Sequence, residues 1–324
     1  MQNKLNEIIE LLEKEDNFLI AGHVGADGDC IGSVTALTRI LNKKNKTARA
    51  YLNKESLAPF AFLEINESCF FTETESLAVE LKNQDYILLV LDCGSRDRVD
   101  LPEELFNAAQ YVINIDHHED NSLFAKYNFV DSKRAAVGEI IYLIAEKLIS
   151  TLPQNIARSI ATAIITDTGA LRYENTTPQV MRILAKLMES GVSIYRINKA
   201  IFGSISYPAL LLKSKALATL KRSENKKVAW LYVSREMIHE AGTDYTEGLV
   251  GLARDIEGVE VGILFTEEES HQIKISFRSN FYVAVNKIAA QFGGGGHPRA
   301  AGATVQQELN TTIESVVKEA LKHV

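Results

Sequence analysis

The sequence predicts an α/β protein in two parts: a parallel sheet covered by helices, then a smaller α/β domain reached through a helical linker. Three observations predict it. Short, largely apolar runs, such as Ile87–Leu91 in "DYILLVLDCGS" and Tyr111–Ile115 in "YVINIDHHEDN", alternate with helical stripes, as strands buried on both faces of a parallel sheet do. Each run ends directly in a polar cluster, and ligands of such sheets bind beyond the carboxyl ends of the strands. The chain, at 324 residues, is too long for one small core and fits two domains.

The elements follow in order. Residues 4–14 carry Leu5, Ile8, Ile9, Leu11 and Leu12, an amphipathic helical stripe. A strand follows at 18–22, then a His/Asp loop, then a helix from Ser33 to about Leu41. Further strands fit Ala48–Leu52, Ile87–Leu91 and Tyr111–Ile115. From 136 to 220 the pattern is mostly helical, and "IARSIATAIITDTGALRY" is one long helix with Asp167 near its end and Gly169 beyond it. After the solvated turn Lys221–Lys227 the texture changes, with strands expected at 228–233, 259–265 and 272–278 and helices between and after them. The division expected is 1–190, a linker over 191–207, and 208–324.

Composition narrows the function. The residues are 46% hydrophobic and 24% charged, and the net charge is −7. That argues against long duplex DNA as a partner, which needs an extended basic face, but leaves room for a short anionic substrate. Cys30, Cys69 and Cys93 form no C-x-x-C pair, so neither a disulfide framework nor a thiolate zinc site is indicated. The first residues open a helix and not a signal peptide, and no apolar run reaches ~18 residues. The expectation is a soluble, cytoplasmic protein with no membrane partner.

His23, Asp27, Asp29, Asp92, Asp116, His117 and Asp167 form the main constellation. A lone strand-end aspartate is ordinarily a cap or turn residue. Carboxylates and imidazoles arriving after several separate strands instead make a site for hard or borderline divalent cations. They suffice for two metals sharing one carboxylate, an arrangement that clamps a phosphoryl group and generates hydroxide. Gly25 and Gly28 are read as positive-φ positions that turn the neighbouring side chains inward. A second constellation is "QFGGGGHPRAAG". Gly293, Gly294, Gly295 and Gly296 would expose successive N–H groups to a phosphate or base, with His297 and Arg299 as further donors. Arg278, in "ISFRSN", sits at a strand end as another phosphate contact, where the bland alternative is a solvated side chain.

"HVGADGDCIGS", "LDCGSRDR", "IDHHEDN", "AIITDTGALRY" and "GGGGHPRAAG", in this order over residues 23–302, resemble the motifs of the DHH phosphoesterase superfamily. The glycine-rich ending resembles its DHH-associated C-terminal domain, and the length resembles the stand-alone nanoRNases that are also pAp phosphatases. Ala26 departs from the usual H-x-x-P-D-G-D pattern, loosening the loop without removing a ligand. The resemblance implies two divalent ions, manganese first, with magnesium or cobalt as alternatives. It implies His23 and Asp27 on one metal, Asp29, His117 and Asp167 on the other, and Asp92 bridging. Asp116 would orient a ligand, and His118 would donate to the scissile phosphate. Arg278, His297, Arg299 and Gly293–Gly296 would receive the rest of the nucleotide.

The function expected is manganese-dependent hydrolysis, by a metal-bridging hydroxide, of short oligoribonucleotides, of linear dinucleotides such as pApA and pGpG, and of pAp. A homodimer is compatible with it. Rivals are a cyclic di-AMP phosphodiesterase, an inorganic pyrophosphatase, which would lack the GGGH element, and a larger RecJ-type exonuclease. From another class comes a nucleotide-binding regulator, against which the intact set of metal positions argues.

Overall fold

The computed structural model describes residues 2–203, 205–269 and 271–324. The chain divides into two compact units, Met1–Ser204 and Ile205–Val324. In the first, the elements run α1 (Gln2–Lys14), β1 (Asn17–Ala21), α2 (Gly28–Lys43), β2 (Thr47–Tyr51), α3 (Lys54–Leu57), β3 (Phe70–Phe71), α4 (Thr74–Glu80), β4 (Ile87–Leu91), α5 (Glu103–Ala108), β5 (Tyr111–Asp116), β6 (Tyr127–Val130), α6 (Val137–Leu148), α7 (Gln154–Asp167), α8 (Pro178–Glu189) and α9 (Ile194–Ile201). The strands form one parallel sheet in the order β3-β2-β1-β4-β5-β6.

Successive side chains of a strand point to opposite faces, and both faces are covered. Phe18, Ile20, Leu89 and Leu91 join a core with α1, α2, α6 and α7. Leu19, Ala21, Leu88 and Val90 join Leu77, Leu81 and the partly buried Leu105 and Phe106 on the other side. This is why β1 and β4 read as apolar runs without alternation. Strand order reverses between β1 and β4, the point at which doubly wound sheets open a crevice at their carboxyl ends.

Two readings change here. Helix α2 starts at Gly28, not Ser33, because the Asp27 carboxylate accepts from the N–H groups of Asp29 and Cys30 and caps it. Gly25 has φ +70° as expected, but Gly28 lies inside the helix. Its missing side chain serves close packing: a Cβ there would lie 2.2 Å from Thr166 Cγ2 of α7. One turn on, a Cβ at Gly32 would lie 2.5 Å from the Ser159 carbonyl oxygen and 2.9 Å from the Ala163 nitrogen. These are backbone atoms and cannot swing aside. Gly32→Ala is therefore expected to destabilise the protein by about 1–3 kcal/mol, as overpacking does. Because α7 must retreat and carries Asp167, metal affinity should also fall. Thermal denaturation and metal titration check both, and unchanged affinity would separate the helix contact from the site.

The second unit comprises α10 (Tyr207–Ala218), β7 (Lys221–Arg222), β8 (Val228–Val233), α11 (Arg235–Ala241), α12 (Leu249–Arg254), β9 (Val261–Glu269), β10 (Gln272–Ser279), α13 (Val285–Ala290), β11 (Gly295–His297), β12 (Ala300–Gln306) and α14 (Leu309–Ala320). Its sheet, β11-β12-β10-β9-β8-β7, is mixed: β8 and β9 are parallel, the other pairs antiparallel. Val261, Ile263, Phe265, Ile275 and Phe277 pack with α13 and α14, while Leu231 and Val233 pack with α10 and α12 on the opposite face. Strands β11 and β12 escape the sequence pattern because glycine and alanine carry no apolar alternation. Within 191–207, α9 buries Ile197 in the core of the first unit. No helix among the described residues is long and apolar enough to cross a membrane.

Candidate metal centre

The carboxyl ends of β1, β4 and β5 and the facing ends of α2 and α7 bring the predicted residues of the first unit together. His23 follows β1 and pairs its backbone with Val99. Its Nδ1 contacts the Val24 carbonyl at 3.0 Å, which leaves Nε2 facing Asp27 Oδ1 at 3.9 Å and Asp92 Oδ2 at 3.7 Å. Asp92 follows β4 directly. Its backbone is left-handed, φ +54°, a conformation that costs energy outside glycine and gathers at functional sites.

His117 follows β5. Its Nδ1 contacts the Arg134 carbonyl at 3.2 Å, and its Nε2 lies 3.8 Å from Asp29 Oδ2, 3.5 Å from Asp92 Oδ1 and 3.3 Å from Asp167 Oδ2. Asp167 is the last residue of α7. Asp29, fully buried in the first turn of α2, accepts from Ser33 Oγ and from the N–H groups of Val137 and Gly138 that open α6.

These residues fit divalent cations. The two Nε2 atoms stand too far from the carboxylates for good hydrogen bonds. Ligands that each sit about 2.1 Å from one ion lie roughly 3–4 Å from one another. Asp92 Oδ1 is buried with no hydrogen-bond partner, an orphan that a cation would satisfy. Asp29, His117 and Asp167 are close enough to share an ion, as are Asp92, His117 and His118. A third set, His23, Cys30 and Asp92, includes a thiol that the sequence reading left out.

Without a cation, protons do the neutralising. Burial alone would lower the His23 pKa, but the Asp27 and Asp92 carboxylates outweigh it and raise it to about 10. Burial likewise opposes protonation of His117, whose carboxylate neighbours, Asp92 first, raise it to about 10. Burial pushes Asp167 up to about 7. Asp92 goes the other way: burial would raise it, but the His117 and His23 imidazoles hold it well below the usual carboxylate range.

Asp116, buried at the end of β5, does orient an imidazole, but that of His118: Nδ1 to Oδ1 is 2.7 Å. This carboxylate raises the His118 pKa and fixes Nδ1 as the protonated nitrogen. Asn121 Nδ2 donates to Asp116 Oδ2 at 2.6 Å and to Asn114 Oδ1 at 2.8 Å. Asn114 in turn donates to the Val90 and Cys93 carbonyls on either side of Asp92. The sequence reading assigned nothing to Asn114 or Asn121. The available signal was Asn114 itself, a polar residue inside an otherwise apolar strand.

In the second unit Arg278 stands near the end of β10, as expected, and its Nη1 donates to the Phe277 carbonyl. Burial and the neighbouring Arg254 hold its pKa below the ordinary arginine value. The glycine run differs from its reading as a row of free donors. The N–H groups of Gly293 and Gly294 close helix α13 onto the Ala290 and Ala289 carbonyls. Gly295, Gly296 and His297 then form β11, paired with Gly302, Ala301 and Ala300. Arg299 donates to the carbonyls of Val283 and Phe281.

The sequence model of the DHH family, N-terminal domain, matches residues 17–166, and that of the DHHA1 domain matches residues 216–324. A relative from Thermus thermophilus, named bifunctional oligoribonuclease and PAP phosphatase NrnA, is 32% identical over 97% of this chain and 93% of its own. The Bacillus subtilis protein of the same name is 25% identical over 97% of this chain and 98% of its own. The fold matches the crystal structure of an exopolyphosphatase-related protein from Bacteroides fragilis, with TM-score 0.87 and 22% identity over 99% of this chain and 96% of that one. Similarity to these relatives along nearly the full length, with both domains in order, means that the chain belongs to the DHH family and is a phosphoesterase, a hydrolase.

Proposed function

We propose that this protein hydrolyses short oligoribonucleotides and linear dinucleotides such as pApA and pGpG, and removes a phosphate from pAp, using two divalent ions of which manganese is preferred. The observation that carries the reading is the buried, unpartnered Asp92 Oδ1 beneath two converging imidazoles. The names of the full-length relatives supply the substrate class. DHH enzymes are metal-dependent, and the acidic and imidazole groups gathered here can bind metal.

His23 and Asp27 would hold one ion, Asp29, His117 and Asp167 the other, and Asp92 both. Bound ions would neutralise phosphate charge and lower the pKa of water. The rest is the work of the chain. Val24 and Arg134 carbonyls take the Nδ1 protons of His23 and His117 and keep each Nε2 free as a ligand. Asp116 keeps His118 protonated at Nδ1 and available as a donor to a phosphate oxygen. Arg278 and His297 are proposed to receive the nucleotide as side-chain donors, with Gly293–Gly296 and Arg299, which are engaged within the unit, shaping the backbone against which it would lie.

Initial rates on a panel of pApA, pGpG, cyclic di-AMP, pAp, a short RNA and pyrophosphate, each with manganese, test the reading. Turnover of the linear dinucleotides, the RNA and pAp is expected. Turnover confined to pyrophosphate or to cyclic di-AMP would overturn it. After chelation, single-ion add-back is expected to favour manganese over zinc, given the dominance of carboxylate and imidazole, and over calcium, which prefers more oxygens in looser geometry. Best activity in zinc or calcium would overturn the metal assignment.

A further inference from the structure

Phe281 and Tyr282 stand side by side in the loop after β10, 77% and 58% exposed. Large aromatic side chains gain more than most by burial, so a slack loop would fold them down. This loop is held. The Glu260 carboxylate, itself 2% exposed, accepts from the N–H groups of Phe281, Tyr282 and Val283. Arg299 grips the Phe281 and Val283 carbonyls from the other side. Asn280 Nδ2 donates to the Arg254 and Val259 carbonyls. A buried carboxylate and a guanidinium thus keep two aromatic rings out in water.

Cationic groups lie beside them. Arg278 lies near the end of β10, just before the same loop, and among the described residues no carboxylate pairs with it. The His297–Arg299 turn is tied to the loop, since the N–H of Ser279 donates to the Arg299 carbonyl and that of Val285 to the Pro298 carbonyl. An arginine without a counter-ion calls for an anion, and exposed aromatic rings call for a flat partner. One molecule that is both is a nucleotide, and stacking accepts every base because every base has a π-face.

We propose that Phe281 and Tyr282 form a stacking platform for a nucleobase, with Arg278 taking the attached phosphate. The proposal rests on the nucleotide reading of the substrate given above. Purines, with the larger ring system, gain more than pyrimidines.

The test uses the full-length protein with manganese and three substrates of one backbone: pApA, pUpU and an abasic dinucleotide. The Phe281→Ala/Tyr282→Ala double variant is expected to raise KM for pApA about tenfold, about 1.4 kcal/mol. The rise for pUpU should be smaller, and values for the abasic compound should stay within about twofold. Phe281→Tyr and Tyr282→Phe should retain wild-type KM, because either ring stacks. An unchanged KM for pApA, or an equal loss on the abasic substrate, overturns the platform. So does loss of self-association in the double variant by sedimentation, which would make a second copy the occupant. If the wild-type protein leaves every dinucleotide intact, the substrate reading and the platform fall together. If it cleaves them and the variants match it, the platform falls alone.

Discussion

Asp92→Ala is expected to abolish hydrolysis, by about a thousandfold or more in kcat/KM, about 4 kcal/mol, and to lower bound metal. Its carboxylate faces His23 on one side and His117 on the other, at 3.7 and 3.5 Å, so one substitution would take the shared anion from both proposed metal positions. No neighbour replaces it. Asn114 holds the Val90 and Cys93 carbonyls around it, and Asp116 is engaged with His118 and Asn121. Alanine would also have to adopt the left-handed backbone at φ +54°, costing about 1–2 kcal/mol of its own. Asp92→Asn removes that ambiguity, since asparagine tolerates this backbone and keeps the volume while losing the charge. The same loss of metal and turnover in both variants is expected. Near-normal rates with two metals per chain in either variant would remove the bridging role.

Chelation should have an equally complete effect, and a distinctive dependence on pH. In the metal-free protein His23 and His117 keep their protons to about 10, and Asp167 keeps its proton to about 7. Metal held by these residues, as proposed, would have to displace these protons, so binding should release them and tighten as pH rises, by about tenfold per unit for each proton displaced. The sign for stability follows. All three pKa values are raised above those of the unfolded chain, so the bound protons stabilise the metal-free fold at low pH. That contribution fades from about pH 4 to 7 for Asp167 and from about 6.5 to 10 for the imidazoles. Manganese should therefore raise Tm more at pH 8 than at pH 6. Calorimetric titration in buffers of different ionisation heat should register the released protons. An increment equal at the two pH values, or no proton release, would contradict this account.

The sequence by itself determined the two α/β parts, the positions of β1, β4, β5, β8 and β10, and the strand-end clusters that gather at the candidate metal centre. Buried parallel strands are apolar along their length, and the polar residues that end them are adjacent in sequence, so both signals are local. The family resemblance carried by five ordered motifs was equally legible, and both family domains bear it out. Only the tertiary structure decided how the clusters converge. The order β3-β2-β1-β4-β5-β6 puts the reversal between β1 and β4, and pairing between strands distant in the chain leaves no local trace. Gly28 and Gly32 look like turn or chance glycines until α7 is set against them. Asp116 cannot be assigned to His118 before the ring directions are known. The glycine run reads as a row of free donors until α13 claims the N–H groups of Gly293 and Gly294 and β11 pairs with β12. In each case the deciding partner is far along the chain, and the energy that selects it comes from close packing or a hydrogen bond that exists only once the fold has formed.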